Sequence, residues 1–103
     1  MRVRVCRVAE LTPGALRAFA VPGATWPVLV ALVDDEVIAM PGVCPHREVA
    51  LADYGVLDGS ILSCRVHGFS FDVHTGFCEH DPRLHLHRFP VTIVDDEIWI
   101  DLL

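Results

Sequence analysis

Two short segments in the middle of the chain each contain one cysteine and one histidine. The first is Cys44-Pro45-His46 and the second is Cys64-Arg65-Val66-His67, and seventeen residues separate His46 from Cys64. Brought together, the two segments would supply two thiolates and two imidazoles. That donor set suits either a tetrahedral zinc ion or a 2Fe–2S cluster in which each iron takes one pair of ligands.

The order of the four residues favours the cluster over zinc. Structural zinc sites usually pair cysteine with cysteine and histidine with histidine within each short segment. Here each segment mixes one cysteine with one histidine. We therefore expect an iron-sulfur site, and zinc on the same four residues stays open as the alternative.

The pattern C-x-H, seventeen residues, C-x-x-H resembles the signature of Rieske iron-sulfur proteins. Further short segments resemble the ferredoxin subunits of bacterial multicomponent oxygenases, and they span about half of the chain: Cys44–Glu48, Leu57–Gly59, Cys64–Gly68, Phe71-Asp72, Thr75-Gly76 and Phe89–Val91. The residues around Cys44 and Cys64 resemble those of ferredoxins from aromatic monooxygenases, such as toluene monooxygenases, more than those of ferredoxins from ring-hydroxylating dioxygenases. The N-terminal third matches only in its strand pattern.

The resemblance implies a site and a function. One 2Fe–2S cluster is expected, with Cys44 and Cys64 on one iron and His46 and His67 on the other, near the surface. The chain would not be an enzyme by itself. It would carry one electron at a time from a flavoprotein NAD(P)H-dependent ferredoxin reductase to a terminal oxygenase that hydroxylates an aromatic compound. The residues expected to line the docking rim around the histidines are Pro45, Arg47, Gly68, Phe69 and Pro82.

Two other functions are compatible with the same residues. One is the small Rieske-like subunit of a nitrite reductase, which would accompany a larger catalytic chain. The other is a zinc-binding module that recognises a protein partner. Cys6 and Cys78 are outside the expected ligand set, and Cys6 fits a small apolar strand residue. Cys78-Glu79-His80 is a third C-x-H pattern, but Glu79-His80-Asp81-Pro82 resembles the proline-containing loop that covers the cluster, so we do not expect it to supply ligands.

Charge and hydropathy exclude several classes of partner. The formal net charge is −6 and every basic residue is an arginine, so the clustered cations that bind a nucleic-acid backbone are missing. No segment approaches the roughly 18 apolar residues needed to span a bilayer. In the first residues of the chain, arginines alternate with apolar residues, and the uninterrupted apolar run of a secretory signal is missing. We therefore expect a cytoplasmic protein.

A chain of 103 residues with 52% hydrophobic residues predicts one packed domain. The pattern indicates an all-β fold, a small Rieske-type antiparallel β-sandwich, in which a loop-rich cluster-binding subdomain of about 41–82 is inserted into a β base of about 1–40 and 83–103. Strands are predicted at Val3–Val8, Pro27–Val33, Glu36–Met40, Ile61–Cys64, Phe69–Asp72, Val91–Val94 and Ile98–Leu102. Asp34-Asp35 and Asp95–Glu97 should form the turns of two hairpins. Residues 12–20 fit either a short helix or a strand from Ala15 to Val21.

The ligand set and its surroundings predict a low reduction potential within the Rieske range. Compared with respiratory Rieske proteins, the two segments lack the extra cysteine pair, and Phe69 and Phe71 occupy the positions expected to carry hydroxyl groups. Fewer hydrogen bonds to the sulfurs stabilise the reduced state less. We expect a potential of about −150 mV by voltammetry; a value above zero would point to a respiratory role instead.

Overall fold

The fold is almost entirely antiparallel β-structure, as the sequence predicted. The computed structural model describes residues 1–66 and 68–102. Within them the strands are β1 (Arg2–Arg7), β2 (Leu16–Phe19), β3 (Val28–Val33), β4 (Glu36–Pro41), β5 (Gly55–Asp58), β6 (Ile61–Cys64), β7 (Ser70–Asp72), β8 (Val91–Val94) and β9 (Glu97–Asp101). A 3-10 turn covers Val8–Glu10 and one short helix, α1, covers Leu51–Tyr54.

The nine strands form three sheets of three strands each. Their orders are β1-β9-β8, β2-β3-β4 and β5-β6-β7, and the paired strands run antiparallel. The third sheet lies within the middle segment that carries the expected ligands. No helix among the residues placed by the structure is long and apolar enough to cross a membrane.

The sheet β2-β3-β4 lies between the other two and buries residues on both faces. Along β3, Leu29, Ala31 and Val33 pack into one apolar cluster together with residues of β6 and β7. The alternate residues Val28 and Val30 pack into a second cluster with residues of β1 and β9. Since side chains alternate between faces along a strand, a continuous apolar run is what a strand covered on both sides requires.

The two predicted hairpins are present. Asp34 and Asp35 adopt φ of 50° and 63°, and Asp95 and Asp96 adopt φ of 51° and 67°. These are two-residue turns with both central residues in the left-handed region, which aspartate tolerates better than most residues. The second turn is shorter than predicted, because Glu97 already belongs to β9 and pairs with Val94.

Other boundaries differ from the sequence-based prediction. The undecided segment 12–20 contains strand β2, because Leu16–Phe19 pairs with β3 along its full length. Helix α1 and strand β5 were missed. Strand β5 alternates between half-buried and exposed residues and owes its conformation to pairing with β6, which a local pattern of four residues does not reveal.

His74 joins the middle segment to the β3–β4 turn. Its Nε2 lies 2.9 Å from Asp34 Oδ2, and its Nδ1 lies 3.0 Å from Glu36 Oε1. Arg88 donates to the His74 carbonyl at 2.6 Å and to Glu36 Oε2 at 2.8 Å. The His74 amide also donates to Asp72 Oδ1 at 2.8 Å. Hydrogen bonds to Asp34 and then to Glu36 raise the pKa of His74 above its usual 6.5.

This arrangement predicts a pH-dependent contribution to stability. A raised pKa in the folded state means that the contact stabilises the fold fully below about pH 6.5 and that this contribution is lost as pH rises through the folded-state pKa. We expect His74→Gln to lower the thermal midpoint of the cluster-loaded protein more at pH 5.5 to 6 than at pH 8.5, as monitored by circular dichroism.

His87→Gln is the matched control, because His87 is exposed and no ion pair between it and a carboxylate occurs among the described residues. A loss of stability in His74→Gln that is equal at both pH values would contradict the ionic character of the contact.

Candidate metal centre

The first ligand segment is a short loop closed at its base by backbone hydrogen bonds. The Cys44 amide donates to the Val49 carbonyl at 3.0 Å, and the Leu51 amide donates to the Gly42 carbonyl at 2.9 Å. After β4 the backbone passes so close to Pro27 that only glycine fits at position 42, since a Cβ there would lie 2.4 Å from the Pro27 carbonyl oxygen. The loop therefore has a fixed root, and Pro45, His46 and Arg47 lie at its tip.

The second ligand segment turns back on itself directly after β6. The Cys64 amide donates to the Phe69 carbonyl at 2.9 Å, and the Gly68 amide donates to the Cys64 carbonyl at 2.8 Å. Gly68 has φ of 75°, which is the conformation that glycine adopts at least cost. The Arg65 amide binds the Tyr54 carbonyl at 2.9 Å, so α1 supports this loop from one side.

The two loops meet through their cysteines and through one aromatic contact. Cys44 and Cys64 are 3% and 1% exposed and lie in the same apolar cluster, and Cys64 is near enough to raise the pKa of the Cys44 thiol. The ring of His46, from the first loop, stacks on Phe69, from the second, with centroids 4.0 Å apart and planes inclined by 24°. Three of the four predicted ligands therefore come from loops that are in direct contact.

The surroundings of Cys44 fit a bound thiolate. Burial raises the pKa of the Cys44 thiol, the backbone amides of His46 and Arg47 lower it by hydrogen bonding to the sulfur, and the adjacent Cys64 raises it again. Two thiols buried together are costly to ionise, and a positively charged metal removes this cost. Amide donors on a ligand sulfur are also what iron-sulfur proteins use to stabilise the reduced cluster. The donor set therefore fits a 2Fe–2S cluster.

His67, the fourth predicted ligand, lies outside the described residues. Within the described ranges 1–66 and 68–102, no group of three or more histidine, cysteine or acidic side chains is arranged to hold a metal ion. The pair that the structure brings together is Cys44 and Cys64, and His46 belongs to the same two-loop contact through Phe69.

The remaining cysteines are packed in the interior. Cys78 is 7% exposed and belongs to the same apolar cluster as Cys44 and Cys64, and its backbone forms a bridge with Phe71. Cys6 lies in β1 within the other cluster, and burial raises the pKa of its thiol. All four cysteines are free thiols.

The residues predicted to form a docking rim differ in exposure. Arg47, Gly68 and Pro82 are exposed, whereas Pro45 and Phe69 are half-buried. The sequence-based prediction missed two exposed apolar side chains, Val66 within the second loop at 44% exposure and Tyr54 beside it at 45%. Tyr54 closes helix α1, and without that helix the sequence carried no signal that would place it near Cys64.

A third segment, residues 79–83, lies against the aromatic contact between the loops. The rings of His80 and Phe69 form a T-shaped pair with centroids 5.8 Å apart, and His80 Nδ1 accepts a hydrogen bond from the Ser70 amide at 3.4 Å. The Glu79 amide donates to the Ser70 carbonyl at 3.0 Å. The proline-containing loop inferred from the sequence thus contacts the second ligand loop through His80 and strand β7 through Glu79.

Comparison with known proteins gives one consistent family. Residues 1–90 match the model of the Rieske [2Fe-2S] domain. The chain is 31% identical to the biphenyl dioxygenase ferredoxin subunit of Pseudomonas sp. strain KKS102, over 95% of this chain and 89% of that protein. The solved structure of a ferredoxin from Sphingomonas yanoikuyae B1 is 34% identical, covers both chains fully and superposes with a TM-score of 0.84.

A further similar structure is a complex of reduced oxygenase and oxidized ferredoxin in carbazole 1,9a-dioxygenase. The matching chain is 31% identical, with 96% of this chain and 91% of that chain covered and a TM-score of 0.83. The family decides between the two metals that the donor set left open, because its cofactor is a 2Fe–2S cluster and not zinc. The chain belongs to the Rieske-type 2Fe–2S ferredoxins, the electron-transfer components of bacterial multicomponent oxygenases.

Proposed function

We propose that this ferredoxin accepts one electron at a time from a flavoprotein NAD(P)H-dependent reductase and passes it to a terminal oxygenase that acts on an aromatic compound, in the cytoplasm. Two similar proteins support the oxygenase as acceptor: the ferredoxin subunit of biphenyl dioxygenase and the ferredoxin in the carbazole 1,9a-dioxygenase complex. The negative charge of the chain supports a reductase with a basic docking face.

We further propose that Cys44 and Cys64 hold one iron and that His46 and His67 hold the other. The observation that carries this assignment is the burial of the two thiols in one apolar cluster, each at the root of its own loop. His46 extends beyond Cys44 and is only half-buried, which suits the outer iron. The bound cluster would store one electron, and the chain's own residues would hold it and limit its contact with water.

The docking surface in this proposal surrounds the two histidines. Pro45, Arg47, Gly68, Phe69 and Pro82 would form its rim, and the exposed Tyr54 and Val66 would extend it on the side of α1. Besides lining the rim, Phe69 fixes the orientation of the His46 ring through its stacking contact. A fixed imidazole limits the rearrangement that accompanies each electron transfer.

Replacing either thiol tests the ligand assignment. We expect Cys44→Ser and Cys64→Ser to lose the visible absorbance of the cluster and nearly all bound iron and sulfide, because a hydroxyl is a poor ligand for this iron. Cys78→Ala is the matched control, since Cys78 is equally a buried free thiol in the same apolar cluster. Full iron content in both serine variants, or loss of iron only in the Cys78 variant, would refute the assignment.

Electron transfer can be measured directly with the holoprotein. Reduction by a flavoprotein ferredoxin reductase and NADH should produce a rhombic electron paramagnetic resonance signal with average g below 2. Addition of an aromatic-ring oxygenase with its substrate should reoxidise the ferredoxin and abolish this signal. Increasing salt should slow the reductase step, because the charges that steer association are screened. Reoxidation only by a nitrite reductase catalytic chain, and by neither a dioxygenase nor a diiron monooxygenase, would reject the proposed acceptor.

A further inference from the structure

The segment 79–83 places one acidic side chain beside the expected histidine ligand. His80 contacts Phe69, and Phe69 stacks on His46, so this segment is one aromatic ring away from the imidazole. Asp81 follows His80 directly, and its side chain is only 20% exposed. Arg83 lowers the pKa of Asp81 below its usual value through its side chain and amide, and the nearby His46 lowers it further. Asp81 is therefore ionised and within electrostatic range of His46.

Arg83 holds this carboxylate in one orientation. The Arg83 amide and Nε donate to Asp81 Oδ1 at 2.9 and 3.1 Å, and Nη2 donates to Oδ2 at 2.9 Å. The two partners differ in exposure, since the Arg83 side chain is 86% exposed. Water screens an exposed charge more strongly than a partly buried one. The negative charge of the pair is thus felt at His46 more than the positive charge.

We propose that Asp81 is a fixed negative charge that lowers the reduction potential of the histidine-bound iron, and that Arg83 is the positioning residue that orients and partly offsets it. The inference rests on the proposed ligand role of His46. An electron that enters the cluster adds one negative charge, and the histidine-bound iron is the one expected to be nearest to Asp81. Repulsion from the carboxylate makes this reduction less favourable.

The size of the effect follows from electrostatics at a partly exposed site. A unit charge about 10 Å away, at an effective dielectric constant of about 20, changes a one-electron equilibrium by about tenfold. For a one-electron couple, a tenfold change corresponds to ~59 mV.

Four variants of the cluster-loaded protein test this proposal, with the reduction potential measured by titration against a redox dye. Asp81→Asn should raise the potential, shifting the dye equilibrium about tenfold toward reduced ferredoxin. Arg83→Gln should lower the potential, because the carboxylate loses its offsetting charge. The double variant should return toward the wild-type value. Asp95→Asn, which changes the net charge equally in the exposed β8–β9 turn, should shift the potential less than Asp81→Asn does.

The outcomes separate this inference from the ligand assignment. A wild-type protein without a Rieske-type resonance signal rejects the ligand assignment itself. With that signal present, the inference is overturned if Asp81→Asn shifts the potential no more than Asp95→Asn, or if Arg83→Gln moves it in the same direction as Asp81→Asn. Should Asp81→Asn fail to take up the cluster, the direction of the Arg83→Gln shift decides: a decrease supports the proposal and any other result overturns it.

Discussion

The β3–β4 hairpin is covered on both faces, and the positions of the other two sheets depend on this constraint. Val28 to Val33 alternate between two apolar clusters, so one strand anchors β6 and β7 on one side and β1 and β9 on the other. A one-residue slip of this strand would exchange the two sets of side chains and leave neither cluster filled. Because Cys44 follows β4 by only a few residues, the same register also fixes the root of the first ligand loop.

The ligand loops combine a rigid root with a small exposed tip. Backbone hydrogen bonds close each loop just beyond its cysteine, and the two thiols are nearly excluded from water. Burial of this kind disfavours thiolates unless a cation is bound, so the stability of the site and its metal content are linked. The stacked His46 and Phe69 lie farther out, where another protein can approach. With the proposed ligands, the interior part of the site would retain the metal and the outer part would exchange the electron.

The sequence predicted the features that depend on residue type and short-range spacing. Both hairpins and strand β6 were recognisable because they follow from Asp-Asp turns and from apolar runs, and the two segments that each contain a cysteine and a histidine were recognisable from their residue types. It did not predict α1, β5 or the contacts of Asp81. Strand β5 forms because β6 is available to pair with it, and Asp81 acquires its surroundings from a segment that folds onto Phe69. These features depend on tertiary contacts that no local pattern records.

Asp34 meets two demands that oppose each other. As a turn residue it adopts φ of 50°, where glycine or asparagine would be less strained, and as a carboxylate it contacts His74 in the middle segment. Glycine would relax the backbone but remove the contact, and glutamate would keep a carboxylate but fit the turn poorly. The position is locally frustrated, so few other residues satisfy the turn and the contact at once. Position 34 therefore tolerates fewer residue types than an exposed position in a surface turn usually does.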